Sequence, residues 1–204
     1  MGQVLALDAL LAARHVWRGQ QRVHAPSEQS TGIEALDAAM PLSGWPEGAL
    51  TEILIPVDGV GELDLLMPTL VRLTAAGKLV VLIAPPYVPY PPGWQARGVD
   101  MSHVRIIDGD QKQALWVFEQ CLRSGSCAAV VGWPTKIDHH GLRRLQVAAD
   151  TGRSLGFVIR DKKHAESASP ASLRLEIDIK RHVAVRKCRG GNVPNRAFLI
   201  PQYQ

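Results

Sequence analysis

The segment PVDGVGEL, residues 56–63, carries glycines at a point where a phosphate group could bind. The apolar run 49–56 before it predicts a strand, and the amphipathic stretch 61–77 after it predicts a helix. A glycine loop between a strand and a helix can cradle phosphate, because its backbone N–H groups point at the anion. A functional P-loop, G-x-x-x-x-G-K-[ST], adds a lysine for the outer phosphates and a hydroxyl for Mg²⁺.

The groups that this chemistry requires are missing from the segment. Pro56 stands at the first glycine position, Gly59 and Gly61 remain, and Glu62 and Leu63 replace the lysine and the hydroxyl residue. A carboxylate would repel a triphosphate where positive charge is needed, and a leucine cannot ligate a metal. The segment is therefore either a degenerate P-loop or an ordinary turn that never bound phosphate, and neither interpretation predicts ATP binding.

No other set of residues predicts catalysis. The three cysteines include no C-x-x-C pair, and the adjacent His139 and His140 cannot both face one site. We expect no enzyme activity, no cofactor and no bound metal.

Basic residues are concentrated near the end of the chain. The whole chain has a net charge of +4, yet residues 160–196 alone hold ten basic and four acidic residues. Lysine and arginine can contact nucleic-acid phosphates without regard to sequence. The candidates are Lys162, Lys163, Arg186, Lys187 and Arg189, although alternation along a strand would point Arg186 and Lys187 to opposite faces. The alternative is that these charges are solvated and keep edge strands from aggregating.

Two parts are predicted from the order of apolar segments. Residues 1–30 comprise a short amphipathic helix and a polar linker, and residues 31–204 form one α/β domain. That domain has a central, mainly parallel sheet, helices on both faces and antiparallel C-terminal strands. Neither a signal peptide nor a membrane span is predicted, which favours the cytoplasm.

The apolar face of the N-terminal helix is a candidate interface for a partner or a second copy, or else it folds back on its own domain. The residues of that face are Leu7, Leu10, Leu11 and Trp17.

Aromatic residues fall in the proline- and glycine-rich turns of the α/β domain. They are Trp45, Tyr87, Tyr90, Trp94 and Trp133. Loops at the carboxyl ends of parallel strands line the binding site in open α/β sheets. These side chains could form a protein-binding patch there, or they could fill the cavity left by a missing nucleotide.

The order of segments resembles the RecA recombinase core. TGIEALDAAM with GWPEGALTEILIP resembles the first helix, turn and strand, and ARGVDMSHVRII resembles the L-G-V-D segment. The resemblance puts PVDGVGEL at the Walker A position. It also puts Gly132 where the Walker B carboxylate belongs and Pro86 where the water-activating glutamate belongs.

A narrower resemblance is to the ImuA family, RecA-like accessory factors of bacterial translesion DNA synthesis. It rests on GWPEGALTEIL, LIAPPYVPYPPGW and ALWVFEQCLRSGSCAAVVGWP. It implies a non-catalytic protein that binds ImuB and an error-prone C-family DNA polymerase, with RecA and single-stranded DNA as further candidates. The alternatives are an inhibitor of cell division that resembles SulA and binds the tubulin-like division protein, and an ATP-dependent recombinase paralogue.

Overall fold

The computed structural model describes residues 27–202, in which eight strands form one mixed sheet. The strands are β1 (Ala49–Ile55), β2 (Leu79–Ile83), β3 (Val104–Ile107), β4 (Cys127–Gly132), β5 (Leu155–Asp161), β6 (Leu173–Ile177), β7 (His182–Cys188) and β8 (Ala197–Leu199). The helices are α1 (Glu34–Asp37), α2 (Glu62–Ala75), α3 (Pro91–Ala96), α4 (Gln111–Arg123) and α5 (His139–Gly152).

The strand order is β3-β2-β4-β5-β1-β6-β7-β8. Strands β1 to β6 run parallel, and β7 and β8 are antiparallel additions at one side. The six parallel strands all end at one edge of the sheet, which we call the carboxyl edge. This architecture confirms the predicted α/β fold with antiparallel C-terminal strands.

The sheet is covered on both faces. Residues of α2 pack with one face of the strands, whereas residues of α4 and α5 pack with the other. All seven residues of β1 are consequently buried, which explains why its sequence shows no alternation of polar and apolar residues. Glu52, in the middle of this strand, is wholly buried.

The segment TGIEALDAAM, which resembles the first helix of the RecA core, contains a much shorter helix than that resemblance implies. The side chain of Asp37 accepts hydrogen bonds from the Ser30 hydroxyl at 2.6 Å and from the Thr31 amide at 3.1 Å. These bonds hold residues 30 and 31 outside the helix, and Gly32 follows with φ at +85°. Regular helix is therefore confined to Glu34–Asp37.

No helix within residues 27–202 combines the length and the apolar character needed to cross a bilayer.

Candidate functional site

The loop between β1 and α2 is folded around its own carboxylate. The Gly59 amide donates to Glu62 Oε1 at 2.7 Å, and the Gly61 amide donates to Glu62 Oε2 at 3.1 Å. The Glu62 side chain reaches back over the loop and is only 2% exposed. Two amides that could have met a phosphate oxygen are thus satisfied from within the chain. The sequence shows that a glutamate lies at this point of the loop. It does not show that the glutamate carboxylate would itself bind the loop amides.

The loop glycines have conformations that other residues rarely adopt, with φ of +84° at Gly59 and +128° at Gly61. A side chain added at Gly61 would also meet the Arg181 guanidinium, whose Nη1 would lie 3.2 Å from the new Cβ. Arg181 belongs to the turn between β6 and β7 and lies against the loop from outside. Leu63 points to the other side and packs against the core.

Asp64 in the first turn of α2 joins three distant segments. Arg97, after α3, donates to Asp64 Oδ1 at 2.7 Å, and Arg181 donates to Asp64 Oδ2 at 2.8 Å. Arg181 also donates to the carbonyl of Pro201 at 3.2 Å. These contacts fix the turn after β6 over the glycine loop. Sequence reasoning missed this network, because Asp64 and Arg181 are 117 residues apart in the chain.

The two positions matched to missing catalytic carboxylates have different surroundings. Gly132 ends β4, and a Cβ there would come within 2.6 Å of the buried Phe118 ring. Any carboxylate at this position would therefore require Phe118 to move. Pro86 follows β2 and lines a cleft of about 290 Å³ at the carboxyl edge, together with Trp133 and Asp58. The interpretation of both as lost catalytic positions stays a prediction.

The aromatic residues of the turns divide into a buried and an exposed group. Trp45, Trp94 and Trp133 are buried, and Trp45 donates its indole N–H to the Thr69 hydroxyl at 2.8 Å. Tyr87 and Tyr90, in the loop after β2, are 71% and 72% exposed. The tryptophans fill space inside the domain, whereas the tyrosines are available for contact.

Other exposed apolar side chains also follow strands at the carboxyl edge. Val57 follows β1, Val88 lies between the two tyrosines, and Ile179 follows β6. These three side chains are 59%, 82% and 76% exposed. We call Val57, Tyr87, Val88, Tyr90 and Ile179 the carboxyl-edge surface. Exposed apolar side chains that form one contiguous patch are typical of a binding surface, whereas scattered ones are not.

A buried ion triad anchors the loop after β5. Arg160 donates to Glu52 Oε1 and Arg174 Nε donates to Glu52 Oε2, each at 2.6 Å. The remaining nitrogens of Arg174 donate to the carbonyls of His164 at 2.9 Å and Ala165 at 3.0 Å. These bonds hold the backbone of the loop from inside the sheet. The loop contains two of the predicted phosphate contacts.

The predicted basic residues do not form one patch. Lys162 and Lys163 lie at the carboxyl edge, and Lys163 pairs with Asp161 at 3.0 Å. Lys187 and Arg189 lie at the opposite edge, where they line a separate cavity. Between the two edges, Arg186 pairs with Glu166 at 2.9 Å and with Glu176 at 3.1 Å.

The expectation that Arg186 and Lys187 face opposite sides is wrong. The register between β6 and β7 shifts beside Arg186, where a bulge adds one residue to β7. Both side chains reach the segment 162–172, Arg186 through Glu166 and Lys187 through the Ser169 carbonyl at 2.7 Å. Strict alternation fails there because it holds only for an unbroken ladder.

The predicted N-terminal interface, with Leu7, Leu10, Leu11 and Trp17, lies outside the described residues. The first described residues attach closely to the domain. The Ser27 amide donates to the Leu42 carbonyl at 2.6 Å, and Arg72 donates to the Ser30 carbonyl at 3.2 Å.

Comparison with known proteins relates the chain to two groups. The RecA protein of Rubrobacter xylanophilus is 33% identical over 103 residues, which are 50% of this chain and 30% of that protein. The cell division inhibitor SulA of Edwardsiella piscicida is 31% identical over 112 residues, which are 53% of this chain and 67% of that protein. The crystal structure of SulA from Pseudomonas aeruginosa aligns with a TM-score of 0.46 at 25% identity, over 54% of this chain and 96% of that one. The chain spans less than a third of the RecA relative, and no protein-family model matches it.

Proposed function

Because the chain belongs to the family of RecA- and SulA-related proteins, we propose that it serves the DNA-damage response as a non-catalytic accessory protein. It acts by binding other proteins. The observation that carries this proposal is the position of the Glu62 carboxylate in the glycine loop. It accepts hydrogen bonds from two backbone amides that a bound nucleotide would need.

Nucleotide-driven chemistry is disfavoured at each point where it would need a functional group. Glu62 and Leu63 supply neither the positive charge nor the metal ligand. Gly132 lies against Phe118, which would have to move to admit a carboxylate. An ATP-dependent recombinase paralogue is therefore the least favoured of the three candidate functions.

The carboxyl-edge surface is the proposed contact with a partner. Its aromatic and aliphatic side chains are exposed on loops whose bases are fixed by buried strands. Tyrosine is among the residues that dominate the energetics of protein interfaces, because its ring buries a large apolar area. Three of the five, Val57, Val88 and Ile179, are aliphatic, which suits a protein better than stacked nucleic-acid bases.

Within this function we propose the translesion polymerase complex as the setting, with ImuB and the C-family polymerase as partners. The proposal rests on the resemblance of the loop after β2 and of the α4–β4 region to the ImuA family. RecA and a second copy of the chain are further partners to test. A SulA-like role, with the tubulin-like division protein as partner, is the second candidate, because the chain covers 67% of a SulA relative.

We expect the double substitution Tyr87→Ser/Tyr90→Ser to weaken capture of the partner at least tenfold, the range of about 1.4 kcal/mol or more found for hot-spot residues. The measurement is capture of purified ImuB homologue and of purified division protein by the immobilised full chain. Trp116→Ser is the matched control, because Trp116 is 59% exposed but belongs to α4. Capture of the division protein alone would replace the first assignment with the second, and equal loss in the control would remove the carboxyl-edge surface from the proposal.

Single-stranded DNA is a separate candidate ligand for Lys162 and Lys163. If these lysines bind phosphate, Lys162→Ala/Lys163→Ala should weaken binding and reduce the salt dependence of log K by about 0.7 for each lysine–phosphate pair that is removed. Anisotropy titrations of labelled oligonucleotide at rising salt would measure both. Arg186→Ala is a suitable control, because that guanidinium already pairs with Glu166 and Glu176. No binding by the unmodified protein at low salt would remove DNA from the function.

A further inference from the structure

A second surface lies away from the carboxyl edge, beside helix α5. A cavity of about 730 Å³ runs between α5 on one side and the residues 170–173 and 187–189 on the other. One face of α5 forms its wall, through His139, Arg143, Gln146, Val147 and Asp150. At 1.5 Å per residue this wall is about 16 Å long, enough for an extended segment of about five residues. We call this cavity the α5 groove.

The wall of the groove is fixed in the folded chain. Gln146 Oε1 accepts hydrogen bonds from the Leu50 amide at 3.2 Å and from the Ser172 hydroxyl at 3.1 Å. Gln146 therefore ties α5 to β1 and to the segment that begins β6. A groove held in this way needs little reorganisation before it binds a ligand.

The groove contains cations without partners. Of the arginines within residues 27–202, only three have a side chain without a hydrogen bond, ion pair or ring contact: Arg143, Arg153 and Arg189. Two of these three, Arg143 and Arg189, line the α5 groove. Lys187 of β7 lines it as well, and burial together with the neighbouring Arg189 and Arg174 lowers the pKa of its amine. Like charges placed together in this way favour an anionic ligand.

The remaining lining argues for a polypeptide ligand. Met40, Leu42, Val147 and Pro170 provide apolar contact, and none of the lining residues is Phe, Tyr or Trp. Single-stranded nucleic acid usually requires such aromatic residues for base stacking. Glu47 and Asp150 also line the groove and would repel a continuous row of phosphates.

The chain's own N-terminal residues have the wrong charge for this groove. Residues 1–26 contain three arginines and one aspartate. A partner segment that carries glutamate or aspartate together with apolar side chains complements the lining better.

We infer that the α5 groove binds an acidic, partly apolar peptide segment of a partner protein. This goes beyond the proposed function, because it adds a second interface on a different part of the molecule from the carboxyl-edge surface. With two separate interfaces, one chain can hold two partners together.

The test uses the full chain and a fluorescein-labelled twelve-residue peptide in which glutamate alternates with serine and leucine. We expect the double reversal Arg143→Glu/Arg189→Glu to weaken binding at least tenfold, because two attractive interactions become repulsive. Arg153→Glu is the matched control, since Arg153 is also exposed and unpaired but lies outside the groove. It should change the affinity less than twofold. None of the three arginines supports the fold through a side-chain hydrogen bond or ion pair, so thermal melts of all variants should coincide within a few degrees.

Three results would overturn the inference. The first is equal affinity of the unmodified protein for a peptide with lysine in place of glutamate, and the second is equal loss in Arg153→Glu. The third is displacement of the peptide by oligo-dT at matched charge, which would assign the groove to nucleic acid. Tyr87→Ser/Tyr90→Ser should leave peptide binding unchanged. The peptide test can therefore refute the α5 groove without refuting the carboxyl-edge interface, and the capture test can refute that interface without refuting the groove.

Discussion

Replacement of Glu52 by alanine should destabilise the domain by about 3–5 kcal/mol, the range found when one partner of a buried ion pair is removed. The substitution leaves Arg160 and Arg174 buried, with side-chain exposures of 6% and 8%, and without the carboxylate that both contact. Two uncompensated positive charges in the sheet cost far more than the missing hydrogen bonds themselves. A destabilisation of this size is a large fraction of the stability of an ordinary domain.

Urea denaturation followed by circular dichroism would measure the change. Glu119→Ala is a well-matched control, because Glu119 also contacts two arginines, Arg123 and Arg144. Those arginines are 44% and 48% exposed, so water can replace the carboxylate, and we expect a destabilisation of about 0–1 kcal/mol. If the two variants lost equal stability, burial would not be what makes the Glu52 triad important.

The second large effect is expected at the glycine loop. Glu62→Ala removes the acceptor of two backbone amides, and the buried one, of Gly61, would cost about 1–3 kcal/mol as an orphaned donor. The vacated amides, with Arg181 beside Gly61, then form a candidate anion site. We expect the melting temperature of this variant to fall without phosphate and to recover partly as phosphate is added. Phosphate at one hundred times its Kd would restore about 2.7 kcal/mol.

The unmodified protein should show no such dependence on phosphate, because its loop is already occupied. Asp58→Ala is the control, since Asp58 is an exposed carboxylate of the same loop and accepts no hydrogen bond from its amides within residues 27–202. A Glu62→Ala variant that ignored phosphate would mean that the loop cannot hold an anion. The glycine spacing would then be that of an ordinary turn.

The fold was predictable because its signals are local. Apolar runs alternate with amphipathic stretches from residue 49 onward, and this alternation is sufficient for a parallel sheet with helices on both faces. The strand bulge beside Arg186 and the short α1 were not predictable, because each depends on a hydrogen-bond pattern that composition does not reveal. Such deviations require the register of the neighbouring segment.

The candidate sites were predictable only in part. Residue type alone marked the glycine loop and the aromatic residues of the turns, but it did not show which of those aromatic residues are exposed. It could not identify the Glu52 triad, whose arginines are 108 and 122 residues away, or the contact of Asp64 with Arg181. The α5 groove was equally hidden, because its cations come from a helix and a strand that meet only in the folded chain.

The Glu62 carboxylate has a consequence for how such a protein would be controlled. A ligand that is covalently part of the chain is present at a fixed, high local concentration and is neither diluted nor hydrolysed. We therefore expect the loop not to respond to the ratio of ATP to ADP, and we expect no turnover step that returns the molecule to a resting form. If the proposed function holds, such a protein needs no nucleotide to bind its partner, and we expect the cell to regulate it by the timing of its synthesis and degradation.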